Sequence, residues 1–126
     1  MITTVVATVK GVGADQITSL VEAFFESNPH FFACHRLEPP EQGLKANVKG
    51  YRKTGGGETI VARIKSAAPS ATELEIKGMS YPLFDWGSTK KSVMLVVQCL
   101  REEYPSLEVS ALTKEHKVVG PIRIVG

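Results

Sequence analysis

A chain of 126 residues is the size of one domain and buries roughly 65–70% of the surface that its unfolded form would expose. Apolar residues at 43% and charged residues at 22% are globular usage, which excludes a disordered, collagen-like or disulfide-stapled chain. A formal charge of +2 is too small to argue alone for nucleic acid, and no apolar run approaches the ~18–20 residues that span a bilayer. Residues 2–10 are rich in β-branched side chains and predict a first strand, ended by Gly11-Val12-Gly13. Asp15 is placed to cap a helix whose Ile17, Leu20, Val21, Phe24 and Phe25 form one apolar stripe, until Asn28-Pro29 stops it.

Four strands are predicted next, over 31–37, 44–53, 58–66 and 72–77. The gaps hold turn residues, Pro39-Pro40 with Gly43, then Gly55-Gly56-Gly57, then Pro69-Ser70, and gaps so short favour antiparallel hairpins. Leu44, Ala46 and Val48 alternate with Lys45, Asn47 and Lys49, and Ile60, Ala62 and Ile64 with Val61, Arg63 and Lys65, so one face is expected buried and the other wet and basic. Ser88 is a good cap for a second helix over 88–103. Its centre is apolar enough that periodicity leaves a buried strand open, but length and polar flanks favour the helix. Strands over 107–112 and 118–125 close the chain.

The expected fold is therefore a single α+β domain over residues 1–126, a mainly antiparallel sheet of about six to seven strands with two helices on one face. The order, β-α-β-β-β-β-α-β-β, resembles that of helix-grip domains and of the saddle-like repeat of TATA-binding protein. The likeness lies in element order and not in any motif, so it implies a fold and no site.

Charge is segregated along the chain. Residues 44–91 hold nine lysines and arginines against four carboxylates, a net +5 that leaves −3 for the rest. Lys45, Lys49, Tyr51, Lys53, Arg63, Lys65 and Lys77 are expected on one sheet face, where cations and an aromatic ring suit a single-stranded nucleic acid. Glu73 and Glu75 share that face, and ordinary cross-strand ion pairs are the plainer expectation. A second anion site is expected at Ser88, Thr89, Lys90 and Lys91. There two lysines in the first helical turn oppose the macrodipole, as Glu102 and Glu103 do in the last, and a bound phosphate or carboxylate would offset the lysines.

Neither this segment nor Gly55-Gly56-Gly57 has the P-loop pattern. Cys34 and Cys99 are too few for a disulfide framework or a zinc site and are read as reduced, packed thiols, which points to the cytoplasm. Cys34 could pair only with His30 or His116, since His35 beside it points to the opposite face of a regular strand. No metal, no cofactor and no catalytic set is expected. Met94, Leu95 and Cys99 extend the second helix's apolar surface beyond one stripe, to be covered by the first helix or by a second copy of the chain. Tyr81, Phe84 and Trp86 could extend that patch or line a pocket with Met94. The leading expectation is a non-enzymatic binding or assembly domain that forms a homo-oligomer. Nucleic-acid or anionic-ligand binding through the basic face and a helix-grip-like small-molecule pocket are the alternatives.

Overall fold

A computed structural model describes residues 2–49, 58–79, 88–112 and 118–121. The elements are β1 (Ile2–Lys10), α1 (Ala14–Ser27), β2 (Phe31–Arg36), β3 (Gly43–Val48), β4 (Thr59–Ala67), β5 (Ala71–Met79), α2 (Ser88–Glu103), β6 (Glu108–Leu112) and β7 (Val118–Pro121), an α+β fold in the expected order. One antiparallel sheet runs β2-β3-β4-β5-β1-β6-β7. The first strand lies inside the sheet because α1 carries the chain to the far edge, from which three hairpins lead back to it. After β5, α2 crosses to the other flank of β1 and delivers β6.

Both helices lie on the same face, α1 over β2, β3 and β4, α2 over β5 and β1, and they touch each other. The apolar halves of the strands supply the floor, among them Val5, Ala7, Leu44, Ile60, Leu74 and Ile76, all buried. Ile17, Val21 and Phe25 press onto it from α1, and each such side chain removed from water contributes about 1.5–3 kcal/mol. Helix α1 starts two positions earlier than a cap at Asp15 implies. Gly13 is its N-cap and makes no side-chain cap bond, while Asp15 sits in the first turn, where a negative charge suits the dipole, and accepts a hydrogen bond from Gln42 at 2.6 Å.

The segment 88–103 is a helix, with Ser88 as its first residue rather than its cap. Its stripe of Thr89, Val93, Val96, Val97 and Leu100 is buried against the sheet. Gly78 on β5 permits that approach, since a Cβ there would lie 2.6 Å from the Thr89 methyl. The surplus apolar surface is partly covered from within the chain. Leu95 packs on the core, as do Leu20 and Phe24 of α1, whereas Met94 and Cys99 stay half-buried.

Candidate functional site

The face of the sheet turned away from the helices is built in cross-strand rows, because side chains alternate along each strand and register aligns the strands. One row runs Phe32, Asn47, Thr59, Met79, Ile2 from β2 to β1. The next runs His35, Lys45, Val61, Lys77, Thr4, and a third holds Gly43, Arg63, Glu75, Val6 and Ser110. Phe32 and Ile2, 47% and 40% exposed, are the large exposed apolar residues among those described, and they stand at the two ends of one row. The face is open at its β2 end, where Phe32, His35, Lys45 and Lys49 are exposed, and closes toward β1, where Thr4 and Val6 are buried.

The expected basic cluster is divided by this register. Arg63 is spent on cross-strand and loop partners, donating to Glu75 at 3.2 Å and to Glu41 at 3.3 Å. Lys65 falls at the register shift between Ile64 and Ser66, toward the opposite end of β4, near the row that holds Glu73. Lys45, Lys49 and Lys77 remain together, and among the described residues none of them is in an ion pair. The carboxylates of this face, Glu73, Glu75 and Glu108, all lie in rows on the other side of Lys45 and Lys77. Tyr51 and Lys53 lie outside the described residues.

Two members of the site, Phe32 and His35, were not foreseen, and a bulge is what puts the second on the same face as the first. Between Phe32, opposite Asn47, and His35, opposite Lys45, two residues of β2 face the single Ala46 of β3, and Ala33 takes a left-handed φ of 52°. A regular strand places residues three apart on opposite faces. The extra residue brings Phe32 and His35 onto the same one. Arg36 is thereby returned to the helix side, where its guanidinium donates two hydrogen bonds to Glu22 of α1, at 2.9 and 3.1 Å.

At the start of α2 a buried polar tie lies beside the residues of the expected anion site. Thr89 is fully buried with its methyl toward Gly78, so of the four residues named there Lys90 and Lys91 reach solvent among the side chains described. Beneath them Ser92, 1% exposed, donates from Oγ to Glu58 Oε1 at 3.0 Å, and His30 Nε2 lies 3.2 Å from the same Oγ. With the hydroxyl proton committed to the carboxylate, His30 is the donor to Ser92, which fixes its proton on Nε2. Burial holds the His30 pKa below its ordinary value, aided by Lys91 and opposed by Glu58. Glu58 thus brings a carboxylate of the chain's own to Ser92, the residue after Lys91. Ser92 stands between acid and imidazole, whereas a hydrolytic triad needs the imidazole between the hydroxyl and the acid. This is a structural bridge tying α2 to the start of β4 and to the turn before β2.

Neither cysteine is activated. Burial raises the Cys34 thiol, with Glu26 and Glu22 adding to it, and burial chiefly pushes Cys99 up to about 11. His30 is engaged with Ser92, and His116 is outside the described residues, as are Tyr81, Phe84 and Trp86. Among the described residues no group of three or more His, Cys, Asp or Glu is arranged to hold a metal ion, and no helix is long and apolar enough to cross a membrane. Comparison with known proteins finds no matching family model, no matching curated protein and no matching solved structure.

Proposed function

We propose that this chain is a non-enzymatic binding domain that holds a nucleic acid on the open face of its sheet, at the end formed by β2, β3 and β5. One observation carries the reading: Lys45, Lys49 and Lys77 stand together without ion-pair partners among the described residues, while the carboxylates of that face are gathered in other rows. A polyanion lowers the mutual repulsion of three such cations and releases its own counterions as they bind, so affinity must fall with salt. Three neutralised phosphates give a slope of log affinity on log salt of about −2 to −3. Titration of labelled oligonucleotides across salt concentrations measures it. Reversing Lys45 and Lys77 together to Glu abolishes the binding, and a wild-type chain that binds no oligonucleotide at low salt overturns the reading.

Self-assembly is a second reading, favoured by Met94, which stays half-buried on a helix otherwise packed on its own sheet and on α1. Light scattering over a range of concentrations tests it. A strict monomer that is unaltered by Met94→Lys removes it.

A further inference from the structure

We infer that the nucleic acid is taken up single-stranded, with Phe32 stacking on an unpaired base. The inference rests on the nucleic-acid reading above and adds which form is recognised. The three lysines alone favour any phosphate backbone, duplex or single strand. Phe32 does not. It is 47% exposed on an edge strand, and its ring gains from a partner only where a flat apolar surface can lie against it. In a duplex the base faces are already stacked on one another, whereas a single strand offers every base as a stacking partner.

The neighbours of Phe32 extend the argument. Asn47 lies directly across from it on β3 and Thr59 across from Asn47 on β4. Among the described residues neither side chain is in a hydrogen bond, so a half-buried amide and a hydroxyl are left to meet the polar edge of a base beside the ring. Met79 and Ile2 continue the row as apolar surface, and at 4.7–4.9 Å between strands it is about 19 Å long, enough for a few nucleotides. Lys45 and Lys77 form the adjacent row, and Lys49 follows Asn47 along β3 on the other side. Bases on the apolar row and phosphates on the flanking lysines thus run across the strands. The bulge at Ala33 is what aims Phe32 and His35 together at this path.

Fluorescence anisotropy with a labelled thymidine oligonucleotide of about 12 nucleotides and a duplex of equal length tests the inference at low salt. The wild type binds the single strand at least about tenfold more tightly than the duplex. Phe32→Ala loses about tenfold on the single strand and nothing on the duplex, while Phe32→Trp retains single-strand affinity. The exposure of Phe32 keeps these variants folded, as circular dichroism verifies. Equal affinity for the two forms, or a single-strand affinity that Phe32→Ala leaves unchanged, overturns the inference. If Lys45→Glu with Lys77→Glu still weakens both forms in that case, the nucleic-acid reading stands without it. A wild type that binds neither form removes both together.

Discussion

Replacing Ser92 with alanine separates a structural bridge from an idle polar contact. The hydroxyl is 1% exposed and donates at 3.0 Å to Glu58, itself 8% exposed, so water cannot replace the lost donor. A hydrogen bond to a charged group contributes about 1.5–3 kcal/mol, and the more exposed bond from His30 adds about 0.5–1 kcal/mol at most. Ser92→Ala is therefore expected to lower stability by about 2–4 kcal/mol. Urea unfolding followed by far-ultraviolet circular dichroism measures it, with an unchanged m-value marking a change in stability rather than in compactness. Glu58→Gln keeps the volume and removes the charge, and a double-mutant cycle with Ser92→Ala should return a coupling of about 1–3 kcal/mol. A loss below about 0.5 kcal/mol, or additive single effects, would show that the contact does not anchor α2 and would refute the reasoning.

Other consequences follow from the same geometry. Because His30 titrates below its ordinary 6.5, the unfolded chain takes up a proton that the folded chain refuses as pH falls from that value toward the lowered one. Stability declines across that window and levels off beneath it, and urea midpoints for wild type and His30→Gln should differ in slope there. Gly43 has a φ of +152° and a Cβ built on it would overlap the Ala62 carbonyl, so Gly43→Ala costs about 3 kcal/mol or more, read as a fall in melting temperature. Ala33→Gly relieves a left-handed alanine and raises stability by about 1 kcal/mol, whereas Ala33→Val at the same position destabilises. With its thiol near 11, Cys99 holds about one thiolate in a thousand at about pH 8, so iodoacetamide labels it about 100-fold more slowly than an ordinary thiol. Labelling at the rate of a free thiol contradicts this.

The order of elements and the buried face were legible because Leu44, Ala46 and Val48, Ile60 and Ala62, and Leu74 and Ile76 alternate with outward residues, α1 carries a stripe that no strand period fits, and the length and polar flanks of α2 favour a helix. The wet face was legible only as a composition. Which of its cations stand free depends on register, and register set Arg63 opposite Glu75 while leaving Lys45 in line with Lys77. His35 was hidden for a sharper reason, since an unbroken strand from buried Phe31 turns Phe32 outward but His35 inward. Period-two reasoning assumes an unbroken strand, and the bulge sits at an alanine, a residue that gives no warning of a left-handed conformation.

The start of α2 sets an unfavourable charge pattern beside a buried polar tie. Lys90 and Lys91 do oppose the helix dipole, and that imbalance does call for a negative charge. Glu58 comes from 34 residues away to accept a hydrogen bond from Ser92, so a carboxylate of the chain itself stands near that end of the helix. The contrast with the sheet face follows from the same rule. Cations that a chain satisfies with its own carboxylates, as Arg63 is with Glu41 and Glu75, hold the fold together. Cations left without one at an open edge beside an exposed ring, as Lys45 and Lys49 are near Phe32, are where a partner's negative charge has most to gain.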